Sequence, residues 1–175
     1  MFHFSPTPRG MSRTITEWLF HHGADRFVSV DKLLGAAEKD ASLKYIMGRH
    51  HPAHLKPDAK SFGIVRNPYN RIWSAYLRFR SSEDESFDSF WQRWQACAPT
   101  DQAMLEPCDL ILKFEDGRDR VWEAMRQFTG INGPTKIIDD RHKQTQPKQN
   151  LTDSQKAKVQ EFYQWTFDNF DYKQS

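Results

Sequence analysis

The sequence predicts an α/β domain organised on a parallel sheet, and three features predict it. Short apolar segments of strand character alternate along the chain with capped, amphipathic helical segments, the order that yields parallel strands joined by helical crossovers. Residues 62–76, Phe-Gly-Ile-Val-Arg-Asn-Pro-Tyr-Asn-Arg-Ile-Trp-Ser-Ala-Tyr, pass from an apolar strand through a proline turn into a helix. Near the start, Phe2 to Phe4 reads as a strand, Ser5 to Gly10 as a loop, and Ser12 or Thr14 as the cap of a helix through Trp18, Leu19 and Phe20 that stops at Gly23.

The remaining elements follow in order. Phe27 to Val30 is a second strand candidate, Asp31 caps a helix through Leu33, Leu34 and Ala37, and Tyr45 to Met47 is a third short strand. Strand 62–65 and helix 69–80 come next, then a polar hinge from Ser81 to Ser86. Phe87, Phe90, Trp91 and Trp94 recur at helical spacing, so their stripe faces a core. Asp109 to Phe114 is expected as a strand, and Glu115-Asp116-Gly117 leads into a helix over 118–129 closed by Gly130. A polar, basic loop occupies 139–150, and Thr152 caps one final helix through Val159, Phe162, Tyr163 and Phe167. No internal repeat or linker divides the chain, and 175 residues suit a single domain, 1–175, with little room for a second unit.

Composition narrows the function classes. With 27% charged residues, 38% hydrophobic ones and a net charge of +2, the chain is neither a disordered acidic segment nor a strongly basic nucleic-acid binder. No nucleic-acid partner is therefore expected. Aromatics reach 14%, and their helical spacing assigns them to the core rather than to base stacking. Two cysteines, Cys97 and Cys108, with no second pair and no leader segment, are expected as free thiols in a cytoplasmic protein. No run approaches the roughly 18 apolar residues of a membrane span.

The proline turn carries the chemistry. It sets Arg66 at the carboxyl end of a strand and Ser74 on the following helix, so a guanidinium and a hydroxyl can converge on one anion in the crevice where open α/β sheets bind ligands. A phosphate suits such a pair. Arg71, one helical turn before Ser74, is either another phosphate partner or a surface salt-bridge residue.

Arg49-His50-His51-Pro52-Ala53-His54 offers a general base, since imidazole titrates near ~6.5. His50 is the first choice and His51 the second, with Glu115 the carboxylate alternative. Zinc is disfavoured, and no metal is expected, because Pro52 disrupts the helix that would align His50 with His54.

These residues resemble the sulfotransferase superfamily. Arg66-Asn67-Pro68-Tyr69-Asn70-Arg71 followed by Ser74-Ala75-Tyr76 is similar to the carbohydrate-sulfotransferase branch and its small bacterial and viral relatives. The similarity extends to Leu110-Ile-Leu-Lys-Phe-Glu115-Asp and to Phe167-Asp-Asn-Phe-Asp-Tyr172. It implies a P-loop-like three-layer α/β/α domain with a central parallel sheet. It also implies 3′-phosphoadenosine 5′-phosphosulfate (PAPS) as co-substrate, Arg66 and Ser74 on its 3′-phosphate, and a hydroxyl acceptor, a glycan in this branch.

By the same resemblance, Pro6-Thr7-Pro8-Arg9-Gly10-Met11-Ser12 corresponds to the loop around the 5′-phosphosulfate, so Thr7, Pro8, Arg9, Gly10, Met11 and Ser12 are binding candidates. Thr7 stands where the family has lysine, and Arg9 where it has a first glycine. A cation is needed there, because the leaving oxygen gains charge in the transition state; Arg9 supplies it, with Arg13 in reserve. In the basic loop 141–148, Lys143 or Lys148 adds a second cation. A kinase or NTPase would need Gly-x-x-x-x-Gly-Lys-Ser/Thr, which the loop lacks. Thr7 keeps open a nucleotide-binding module without turnover, and Arg9, Arg13 and the 141–148 loop keep open a nucleic-acid binder.

Overall fold

The structure, a computed structural model, describes residues 2–5, 15, 18, 60–133 and 149–172. The elements expected at 27–30, 33–37 and 45–47 lie outside the described residues, as does the 139–150 loop before Gln149.

Three parallel strands form the sheet in the order β1 (Phe2–Ser5), β2 (Lys60–Val65), β3 (Leu110–Lys113). Six α-helices accompany them among the described residues: α1 (Pro68–Phe79), α2 (Phe87–Cys97), α3 (Asp101–Leu105), α4 (Arg118–Thr129), α5 (Asp153–Phe162) and α6 (Gln164–Phe170). The protein is thus mixed α/β on a parallel sheet, as the alternation predicts.

Central strand β2 divides the core. Phe62 and Ile64 point to one face, where Phe4, Ile15, Trp18, Leu112, Val121, Trp122 and Met125 join them. Val65 belongs to the other face, with Tyr69, Ile72, Phe90, Trp94 and Leu105. This period-two alternation with both faces covered is the signature of a buried parallel strand. Ile15 and Trp18 are helical and fully buried, consistent with the helix expected there.

Local signals set most helix ends. Pro68 opens α1 where no amide partner is needed, and Asn67 caps it by accepting from the Tyr69 and Asn70 amides at 3.0 and 3.3 Å. Ser86 caps α2, and its stripe of Phe87, Phe90, Trp91 and Trp94 is buried as predicted. Gly130 closes α4 in the left-handed region at φ 65°. Thr152 and Gln155 form a reciprocal capping box on α5.

Three expectations change. The final helix is two helices, because Tyr163 leaves helical geometry between α5 and α6 while its hydroxyl accepts from Trp94 Nε1 at 2.8 Å. Tertiary bonds at that tyrosine outweigh its helical spacing. Strand β3 is shorter than expected, since Phe114–Asp116 turns as a 3₁₀-helix. Helix α3 was not foreseen; Thr100 caps it, and it docks through the Ser5 hydroxyl, which donates to the Met104 carbonyl at 2.7 Å.

Within the polar hinge, whose other residues are exposed, Glu85 acts as a staple. Glu85 is buried, its carboxylate accepts from the Ser81 amide and from Arg93 Nε and Nη2 at 3.0 and 2.7 Å, and its carbonyl accepts from Tyr76 at 2.6 Å. Burial pushes the Glu85 pKa up, but these donors outweigh it and hold the carboxyl below its ordinary range.

Two outcomes are expected. A methyl group at Gly63 would collide with Leu105 Cδ2 and lie 3.3 Å from the Ser5 carbonyl oxygen. Gly63→Ala should therefore cost about 1–3 kcal/mol in urea unfolding, and adding Leu105→Ala should cost less than the two single losses summed. Because the folded Glu85 pKa is depressed, its stabilisation is complete above the unfolded value and is lost as pH falls through the folded one. Wild type and Glu85→Gln should differ in stability at about pH 6 and converge in acid below the ordinary glutamate pKa of about 4.3.

Candidate functional site

The carboxyl edge of the sheet is where β2 and β3 release the chain. Val65 pairs with Lys113, so the residues that follow, Arg66 and Asn67 on one strand and Phe114 and Glu115 on the other, emerge side by side. The Arg66 guanidinium carbon lies 4.6 Å from the centre of the Phe114 ring, and Arg66 is only 6% exposed. A guanidinium at this distance over a ring is attracted by the negative face of its π-system.

Glu115 braces the turn. Its Oε1 accepts the Asn67 amide at 2.9 Å, and its Oε2 accepts the Tyr172 hydroxyl at 2.6 Å. Both oxygens of Glu115, the carboxylate alternative for the base, are engaged in this structural task. Burial raises the Tyr172 pKa, and donation to the Glu115 carboxylate and its charge raise it further, so the phenol keeps its proton. Lys113 ties down the same segment, donating to the Phe170 carbonyl at 2.8 Å with its ammonium 5.0 Å from the Tyr172 ring centre.

Ser74 is half-buried on α1, which begins at Pro68. At about 1.5 Å per residue it stands roughly 9 Å along the helix axis from that start. Arg66 thus heads α1 and Ser74 lies farther along the same helix. The amides of Tyr69 and Asn70 are taken by the Asn67 side chain, so any anion on this side is left to side-chain donors.

Arg71 is neither a phosphate partner nor a surface residue. It is fully buried and grips Asp101 with two bonds, Nη1 to Oδ1 at 2.6 Å and Nη2 to Oδ2 at 2.8 Å. Thr166 donates to the same Oδ2 at 2.6 Å, and the Tyr163 ring centre lies 4.4 Å from the guanidinium carbon. Burial is the largest effect on Arg71 and opposes its charge, but Asp101 and the Tyr163 oxygen outweigh it and its pKa rises. The arginine stays charged inside the core.

The other sequence candidates, Thr7, Pro8, Arg9, Gly10, Met11, Ser12, Arg13, His50, His51, His54, Lys143 and Lys148, lie outside the described residues. Sequence reasoning missed Phe114 as the surface under Arg66 and Tyr172 as the partner of Glu115; the latter pair is separated by 57 positions, and no local pattern links it. A cleft of ≈ 160 Å³ between residues 100–102 and 161–166 includes neither Arg66 nor Ser74. Among the described residues no group of three or more His, Cys, Asp or Glu could hold a metal ion, and no helix is long and apolar enough to cross a membrane. Cys97 and Cys108 are free thiols, and burial pushes Cys108 up to about 11, where it is not a nucleophile at neutral pH.

The Arg71–Asp101 pair yields a direct expectation. Asp101→Ala leaves a buried guanidinium without its carboxylate and should cost about 3–5 kcal/mol in equilibrium unfolding. A loss below about 1 kcal/mol would place Arg71 in solvent, contrary to its burial.

No family model, curated protein or solved structure matches this chain.

Proposed function

We propose that the chain is a PAPS-dependent sulfotransferase that moves a sulfuryl group to a hydroxyl acceptor, a carbohydrate. One observation carries the reading: a nearly buried arginine, its guanidinium over an aromatic ring, stands at the carboxyl edge of the central parallel strand and leads into the helix that bears Ser74. That edge is the general ligand position of open parallel sheets, and a guanidinium is matched to a phosphate dianion. The Arg-Asn-Pro turn and the family resemblance around it supply the rest of the argument.

In this reading the sheet belongs to a P-loop-like three-layer domain working in the cytoplasm. Arg66 and Ser74 hold the 3′-phosphate, and Lys143 adds a cation to it. Thr7, Pro8, Arg9, Gly10, Met11 and Ser12 surround the 5′-phosphosulfate. The acceptor oxygen attacks sulfur, the bond from sulfur to the bridging phosphate oxygen breaks, and adenosine 3′,5′-bisphosphate leaves with its new charge facing Arg9. His50 or His51 takes the acceptor's proton. No metal is required, since a sulfonate carries less charge than a terminal phosphate. Thr7 in the lysine's place favours a second reading, a module that binds the nucleotide without turnover.

Calorimetry with PAPS and labelled-sulfate transfer to a glycan panel separate the two. Binding with no transfer and no slow hydrolysis leaves the module, and no binding removes both. Arg66→Ala should weaken PAPS and its desulfated product alike by about 1.5–3 kcal/mol, the worth of a charge-assisted hydrogen bond. His50→Ala should slow transfer while nucleotide affinity holds; unchanged kinetics would remove His50 from the mechanism.

A further inference from the structure

The geometry points to Tyr172 as a positioning residue for the Arg66 site: by holding Glu115, it fixes the peptide that follows Arg66 and so the aim of the guanidinium. The inference rests on the reading of that edge as a 3′-phosphate site.

The chain of contacts is short. Glu115 is exposed, and a glutamate in water samples many rotamers unless something holds it. Tyr172 does so, with its hydroxyl on Oε2 and its ring buried at 8% exposure. Tyr172 is itself held in place. Asp171 adopts a left-handed conformation at φ 51° that turns the chain after α6, and Lys113 fixes the Phe170 carbonyl just before it. The other oxygen of Glu115 then has a set position from which to accept the Asn67 amide. That amide belongs to the peptide joining Arg66 to Asn67, and the residue before Glu115 supplies the ring beneath the Arg66 guanidinium. The peptide after Arg66 and the ring under its guanidinium are thus tied to two consecutive residues at the exit of β3.

Charge alone argues the other way. Glu115 is an anion placed beside an anion site, so removing it should strengthen phosphate binding if electrostatics were its whole effect. Positioning gives the opposite sign.

The test compares adenosine 3′,5′-bisphosphate with adenosine 5′-phosphate on the full chain by calorimetry, at a temperature where thermal unfolding shows every variant folded. The ratio of the two affinities isolates the 3′-phosphate contact. Tyr172→Phe and Glu115→Ala should each lower this ratio by about three- to tenfold, the effect of losing one well-aligned hydrogen bond. Glu115→Gln, whose amide can still accept from Asn67 and donate to the Tyr172 oxygen, should keep the ratio at or above the wild-type value. If Tyr172→Phe fails to fold, the Glu115 pair decides alone. A wild-type ratio near one overturns the 3′-phosphate reading and this inference with it. A wild type that discriminates, with a ratio unchanged or raised in Glu115→Ala and Tyr172→Phe, overturns the positioning role only.

Discussion

Arg71 carries a full positive charge into the interior, and much of the fold is arranged around the carboxylate that meets it. Asp101 arrives from α3, Thr166 from α6, and the Tyr163 ring from the joint between α5 and α6. Trp94 of α2 completes the group by donating to the Tyr163 hydroxyl. Taking two charges out of water offsets most of their attraction, so the pair adds little net stability over an apolar alternative. Its effect lies in the arrangements it forbids, because any packing that parts the two strands a charge in the core. Helix α1 is held in one place by that constraint, and Arg66 stands at its head.

The site at the sheet edge follows from register more than from any dedicated loop among the described residues. Once Val65 pairs with Lys113, Arg66 must leave the sheet beside Phe114, and Asn67 beside Glu115. Stacking and hydrogen bonding then become neighbour contacts across two adjacent strand exits. Slippage by one residue would exchange those partners and turn Phe62 and Ile64 away from their core, so the apolar alternation of β2 protects the polar edge as well.

Features with local causes were legible in the sequence. Helix α4 lies over 118–129 as expected, with Gly117 at φ 96° and Gly130 at φ 65°, where side chains are disfavoured. The α2 stripe and the Asn67-Pro68 turn were legible for the same reason. Features with distant causes were not. Five residues give α3 no period to detect, and its place depends on Ser5 and on the absence of a side chain at Gly63. Arg71 sits at a spacing that suits a surface pair, while its true partner is 30 residues away. At the site, Arg66 was visible through its turn, whereas Phe114 and Tyr172 acquire their tasks only when strands and chain end are brought together.

Asn67 has one more consequence. By satisfying the opening amides of α1 with its own side chain, it leaves that helix little fixed backbone charge to lend a guest. Any anion met on this flank therefore faces replaceable side chains and not the main chain, so a single codon change can alter what it meets while the scaffold beneath stays as it is.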